Sequence, residues 1–430
     1  MKKLFITLML VVALCLILPK IFGGIVKEEY HNTIAQLNEH PAINAKITDF
    51  TLSWFSGTAR SEITFIIAED DIEEVSIIIE DTLDFGPIIL ANEKVHFGMS
   101  HINSSVKLNT DVGEFNQLIT DFISKNVKMT SLFTFSKDII STIEVASINE
   151  TIDGETISSK PAYGEFTLAN MRSFEGVFNW GGLTISQENA QVEIGALSFE
   201  SQQQAISGNY FQGDTLSTGF FKLHLDSLVV NEEKDAAVLT MNGLSLIADT
   251  RVDDDLMEVS VVYHVDKLTS ASEEFTNADF DLKITRLDVE TMQEVNSTFA
   301  DLTNNIEQLS AQNNMMQLTA LAEKLIVKEP QIIVENLSVE TPEGKVKSDL
   351  IVSIDKDIFD AKNIMSLMTA ISAKANGSSP EALLSKYGLD AAVNQYIQQG
   401  LLMRDKTELR FNALFTKGQL EVNGKSVPLF

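Results

Sequence analysis

The sequence predicts a mainly β fold with helical insertions, an α+β arrangement of long, bulged antiparallel strands in a curved sheet. Three observations predict it. Beyond residue 27 apolar and polar residues alternate with period two, as in Lys222-Leu223-His224-Leu225-Asp226 and Asp281-Leu282-Lys283-Ile284-Thr285, the mark of strands with one buried face. An eight-residue pattern recurs in which two apolar residues two apart are followed, after two mostly polar or small residues, by another such pair. Only a few segments carry a helical stripe.

The elements follow in chain order. Lys2 and Lys3 precede an apolar run from Leu4 to Leu18, and the apolar character resumes from Ile21 to Val26. That is the pattern of an export signal. A cut after Gly24 would place Phe22 where a small residue is needed, and counting through Val26 gives about 34 Å of helix at 1.5 Å per residue, enough for a bilayer core of about 30 Å. Residues 1–26 therefore read as an uncleaved signal anchor with a cytoplasmic N-terminus. Residues 27–430 read as one extracytoplasmic β-rich region on the periplasmic side of a bacterial inner membrane. Cys15, with Leu14 before it, belongs to the apolar run and lacks the small neighbour of a lipidation site.

The eight-residue pattern appears at Ala45, Ile47, Phe50, Leu52; Val192, Ile194, Leu197, Phe199; Leu223, Leu225, Leu228, Val230; and Leu239, Met241, Leu244, Leu246. It returns at Leu282, Ile284, Leu287, Val289 and at Ile332, Val334, Leu337, Val339. Its central step of three would turn the second pair to the wrong face of a regular strand. A β-bulge between the pairs restores the face, so Leu225 and Leu228 are expected on one side. Two short strands meeting at a corner share the signature.

Asp111 and Glu114 start a helix with the stripe Phe115, Leu118, Ile119, Phe122, Ile123. One long helix is predicted near 291–326, carrying Met292, Val295, Phe299, Leu302, Ile306 and Leu309; Asn313 and Ala320 break the seam, which favours packing against the sheet over a coiled coil. A helical segment over 362–399, in three pieces divided at Asn376-Gly377 and Gly388, precedes closing strands over 407–429. These turn at Lys417-Gly418 and at Asn423-Gly424, a hairpin signal.

Composition excludes whole classes of function. A net charge of −29 over 430 residues, from 61 acidic and 32 basic side chains, opposes binding to nucleic acid, whose affinity comes mainly from Lys and Arg. A single cysteine allows neither an intrachain disulfide nor a thiolate metal cluster. No Walker, dinucleotide or Gly-x-Ser-x-Gly motif occurs. Ser104 with Lys107, and Ser353 with Lys356, have Ser-x-x-Lys spacing, but an offset of three in a strand sets the two side chains on opposite faces. His96 and His101 form the closest histidine pair and read, like the other histidines, as solvated sheet-face residues. Asp70-Asp71 with Glu73-Glu74, and Asp253 to Asp255, lack the oxygen spacing and Gly of a calcium loop and read as solvated turns. No catalytic, cofactor or metal residue is assigned, and no enzyme activity is expected.

Several segments carry a family resemblance. Leu325 to Leu350, LIVKEPQIIVENLSVETPEGKVKSDL, resembles the part of the YdgA family of bacterial proteins in which a long helix is followed by a Pro, a strand and a TPEG-type turn. Gly418 to Lys425, GQLEVNGK, is similar to that family's closing hairpin. Trp54-Phe55-Ser56-Gly57 matches a Gly-Trp-Phe-Ser-type stretch, with Ser53 in place of the Gly and Gly57 in place of the Ser. The resemblance spans essentially the whole chain. It implies inner-membrane association and an extracytoplasmic body; the family has no established activity to carry over.

Two readings of function remain. In the first, the curved sheet leaves an apolar trough that holds or transfers a lipid or other amphiphile, with Phe199, Leu225, Leu228, Leu244 and Leu246 as its lining. In the second, the chain is a structural or interaction protein, for instance a homodimer, that contacts envelope partners without a ligand.

Overall fold

The computed structural model describes residues 2–40, 42–69, 72–109, 125–152, 154–187, 190–208, 210, 215–233, 236–270, 273–304, 311–360, 363 and 365–428. It is mainly β, and the strand pairings whose registers are given below are antiparallel. The chain forms two compact units, one of residues 1–149, 158–181 and 200–217, the other of residues 150–157, 182–199 and 218–430.

The first unit opens with helix α1 (Lys2–Leu37). There follow β1 (Ile43–Leu52), β2 (Ser56–Glu69), β3 (Ile72–Phe85), the small hairpin β4 (Ile88–Ala91) and β5 (Lys94–Phe97), then β6 (Ser100–Asn109), β7 (Val127–Phe133) and β8 (Ile139–Val145). Next along the chain come β9 (Ile148–Ile152), β10 (Glu155–Ser159), β11 (Ala162–Ala169), β12 (Ser173–Trp180), β13 (Leu183–Gln187), β14 (Ala190–Ile194) and β15 (Leu197–Ser207). In the first unit β1, β2, β3, β6, β7, β8, β11 and β12 pair in that order. The C-terminal half of α1 lies on one face of this sheet, and their meeting is the core: Val26 packs with Ala59, Leu83, Phe85, Met99 and Phe133. A Cβ on Gly23 would come within 3.0 Å of the Phe85 ring, so the glycine sets how closely α1 approaches.

The second unit is built on four long strands, β16 (Leu216–Glu233), β17 (Ala236–Asp253), β18 (Leu256–Ser270) and β19 (Glu273–Asp288). Helices α2 (Val289–Asn304) and α3 (Ala311–Ile326) follow, then β20 (Gln331–Thr341), β21 (Gly344–Ile354), α4 (Met365–Ala370) and β22 (Ile371–Pro380). The chain ends with α5 (Glu381–Lys386), α6 (Asp390–Gln399), β23 (Met403–Asp405), β24 (Glu408–Thr416), β25 (Gln419–Val422) and β26 (Lys425–Val427). Both expected terminal turns form: Lys417-Gly418 and Asn423-Gly424 all have positive φ, as a tight two-residue hairpin requires. Asp288 caps α2, accepting from the Thr291 amide at 2.9 Å and the Thr291 hydroxyl at 2.7 Å, which lowers the Asp288 pKa.

Two expectations about helices change. The helical segment over 362–399 is interrupted by a full strand, β22, which contains Asn376-Gly377. Residues 371–380 are held between β21 and β24, and that ladder outweighs their weak helical pattern. The region near 291–326 contains α2 and α3, with Lys324 of α3 ion-paired to Glu294 of α2; residues 305–310 between them are not among the described ones. The predicted helix over residues 111–123 and the acidic pair Asp70-Asp71 also lie outside the described residues.

The eight-residue pattern has three structural outcomes. In β1, β19 and β20 it is a bulge that shifts register, between Ile47 and Asp49, between Ile284 and Leu287 opposite Val259 and Met257, and between Val334 and Leu337. Arg286, at φ 63°, sits inside the second of these. In β14 and β15 the chain forms two short strands divided at Gly195-Ala196, the corner alternative. In β16 and β17 the odd steps face each other: Leu225 pairs with Leu244 and Leu228 with Met241, and the register between them is unchanged. The extra-residue bulge expected at Asp226-Ser227 is therefore absent, because the partner strand carries the same irregularity at the same level. Gly243 there has φ 64°, and a Cβ on it would lie 1.9 Å from Asp266 Oδ2, so only glycine fits.

Candidate functional site

In a sheet, directly paired residues and those two apart along a strand share a face. On that basis the second unit carries an unusually extended apolar face. One row runs Phe221, Ala248, Val261, Leu282, Val334, Leu350, Ala375, Ala413, Val422, crossing every strand from β16 to β25 except β23. The next row on the same face runs Thr250, Val259, Ile284, Ile332, Val352, Ala373, Phe415, Leu420, Val427. On the other side of the first lie Leu223, Leu246, Tyr263, Phe280 and Leu337. At a strand spacing of about 4.8 Å the first row is roughly 38 Å long.

This face is incompletely covered. No member of the three rows is fully buried, and Ile332, Leu337 and Tyr263 are exposed at 45%, 49% and 42%. The opposite face is largely ionic: Lys283 bonds Glu335 at 2.9 Å, and His264 lies between Asp279 at 2.6 Å and Asp266 at 2.9 Å, which raises its pKa. Ile247 with Val262, and Ile333 with Ile351, are paired apolar exceptions there.

The five residues singled out from the sequence fall at one end of this region. Leu225 and Leu244 are direct partners, Leu246 pairs with Leu223, and the Phe199 ring stacks on Phe221 with centroids 6.0 Å apart. Leu228 lies beyond the Gly243 irregularity, in a further row with Met241, Leu268 and Phe275. Sequence reasoning missed the larger part of the surface, in β18 to β25. The signal was present in the alternation of those strands; which residue lies beside which was not.

A second feature lies in the first unit. A cavity of about 260 Å³ between α1 and the sheet is lined by Ile34, Leu37, Ile63, Ile79, Ile102, Met129 and Ile139, among others. At its polar end the Tyr30 hydroxyl donates to Asp81 Oδ2 at 2.8 Å and accepts from the Ser61 hydroxyl at 3.1 Å. Asp81 is only 5% exposed. Burial pushes its carboxyl above the ordinary range, against the Ser104 and Tyr30 hydroxyls, and burial with the Asp81 charge raises the Tyr30 phenol. The cavity is smaller than the roughly 300–1,000 Å³ of ordinary ligand pockets, and Tyr30 and Asp81 tie α1 to the sheet.

Because the folded-state pKa of Asp81 is raised, its burial favours the protonated form. The associated stability is complete below the unfolded value of about 3.9 and is lost as pH rises from there through the raised folded value. Asp81→Asn keeps an acceptor for Tyr30 and removes that loss. The variant is expected to gain on the parent in thermal melts as pH climbs from about 3 to 7; a constant difference over that range would refute this assignment.

The histidine and serine readings can be placed. His101 is buried, 3% exposed, with its ring 4.4 Å from that of His96; this corrects the solvated reading for His101. The two meet because β4 and β5 fold back against β6, where Asn92 donates to Asn103. Burial lowers the His101 pKa. Ser104 lines the cavity while Lys107 bonds Glu80 at 2.7 Å, so the pair does not meet. Among the described residues no group of three or more His, Cys, Asp or Glu side chains could hold a metal ion.

Fold and site together define a class: a β protein of paired antiparallel strands whose second unit presents a long, half-open apolar face backed by an ionic one. The chain belongs to a bacterial protein family of unknown function (DUF945), whose model matches residues 1–430. No curated protein and no solved structure matches it. Among the described residues no helix is long and apolar enough to cross a membrane; of the run Leu4 to Leu18, side chains are described only from Leu14.

Proposed function

We propose that this protein is anchored in a bacterial inner membrane by its N-terminal helix and holds the acyl chain of a lipid or similar amphiphile on the apolar face of its second unit, serving envelope maintenance. The observation that carries this reading is the partly exposed row from Phe221 to Val422, flanked by the exposed Ile332, Leu337 and Tyr263. Apolar surface of that extent is a liability in water unless something fills it, and each methylene buried there contributes about 0.8 kcal/mol. The likeness to YdgA proteins and the run Leu4 to Leu18 support the anchor. So does the packing of α1: Phe22, Ile25 and Val26 belong to the core, so a cut near Gly24 would remove part of it. The reading is of binding rather than catalysis, with the Asp81 carboxyl engaged by the Tyr30 hydroxyl in tying α1 to the sheet.

Photo-crosslinking amino acids at Phe199, Leu225 and Leu244 are expected to capture lipid in cells, with native mass spectrometry of gently extracted protein showing the same adduct. A bare chain by both methods would sink the lipid reading. One observation favours the interaction reading instead. The hairpin β4–β5 presents Ile88 beside Phe97 and Leu90 beside Val95, all exposed, on one outer face; capture of protein by a photo-crosslinking amino acid at Leu90, with no lipid at the other three positions, would support a partner there.

A further inference from the structure

We propose that Trp54 and Phe55, on the turn between β1 and β2, together with Phe135, on the turn between β7 and β8, form a foot by which the first unit enters the outer acyl region of the lipid bilayer. This rests on the anchor reading above and adds a docking depth to it. Three observations converge.

The first is how α1 changes along its length. Its exposed positions are apolar at Leu14, Leu16, Ile17 and Ile21 and polar or charged at Lys27, Glu28, His31 and Asn32. The boundary between lipid and water therefore falls between Ile21 and Lys27, with Lys20 placed to extend its ammonium toward water.

The second is length. Val26, 3% exposed, is buried in the protein core and cannot be part of the span. From Leu4 to Ile21 the helix supplies about 27 Å at 1.5 Å per residue, slightly less than a hydrocarbon core of about 30 Å. No spacer separates anchor and body, so the body must come down to the bilayer.

The third is what stands beside α1 at that level. Trp54 donates its indole N–H to the Leu16 carbonyl at 2.6 Å, about 8 Å along the helix on the membrane side of Ile21. Phe135 meets Phe22 with ring centroids 5.7 Å apart. All three aromatics remain about half exposed, at 53%, 51% and 51%. A tryptophan ring can lie against acyl chains at this depth because its N–H finds an acceptor. Here the acceptor belongs to the helix, one residue after the Cys15 carbonyl that Pro19, lacking an amide hydrogen, leaves without its helical donor.

The test uses the full chain with Trp180→Phe, which leaves Trp54 as the sole tryptophan, reconstituted in phosphatidylcholine vesicles brominated at shallow or deep acyl positions. Trp54 fluorescence is expected to be quenched at least twofold, more by shallow than by deep bromines. The Trp54→Phe chain, reporting from Trp180, should be unaffected. Since Trp180 donates to Ser159 at 3.0 Å and its replacement could disturb folding, Phe135→Trp in the chain lacking both native tryptophans offers a second reporter, with the same shallow quenching expected. A chain that floats with the vesicles while neither reporter is quenched overturns the foot and leaves the anchor standing. A chain that does not float overturns both.

Discussion

Replacing Val26 by aspartate is expected to unfold the first unit. The side chain lies on the buried face of α1 among Ala59, Leu83, Phe85, Met99 and Phe133, and no basic group belongs to that cluster. An uncompensated carboxylate there costs about 3–5 kcal/mol, beyond the lost packing of the valine, a large share of the 5–15 kcal/mol by which a domain is typically stable. Ala35→Asp, on the exposed side of the same helix, introduces the same charge where water can solvate it. Urea unfolding followed by circular dichroism should show a collapsed midpoint for Val26→Asp and a nearly unchanged one for Ala35→Asp. Equal midpoints would mean that α1 is not part of the core.

The second large effect concerns the ligand. Val261 and Leu282 are direct partners near the middle of the apolar row, so Val261→Asp with Leu282→Asp would place two like charges side by side where an acyl chain is proposed to lie. Desolvating either carboxylate costs several kcal/mol, and lipid recovery is expected to fall at least tenfold, about 1.4 kcal/mol. Both sites are half-buried, which lets the carboxylates reach water in the empty protein and leaves the fold intact. Ser260→Asp, one residue along on the opposite face and paired with Lys283, should leave recovery unchanged. Equal recovery from all three chains would place the lipid elsewhere.

Much of the fold was legible in the sequence because period-two alternation is a local property. The strands of both units, the closing turns at Lys417-Gly418 and Asn423-Gly424, and the apolar character of Leu225, Leu244 and Leu246 follow from neighbours a few residues apart. The errors have non-local causes. Residues 371–380 became a strand because β21 and β24 flank them. His101 became buried because β4 and β5 fold back against it. Asp226-Ser227 gained no bulge because β17 carries a matching irregularity at Met241 to Leu244.

By itself, the sequence determined the β class, the one-faced strands, the acidic balance and the apolar N-terminal run, each a matter of composition or short-range period. Only the tertiary structure decided that the apolar faces of β16 to β26 align into continuous rows and that α1 enters the core at Phe22 rather than ending as an anchor at Val26. It likewise brought Trp54 to the Leu16 carbonyl and Tyr30 to Asp81. The reason is register. Moving a strand by one residue exchanges its two faces, and that choice depends on partners far away in the chain, which no local pattern encodes.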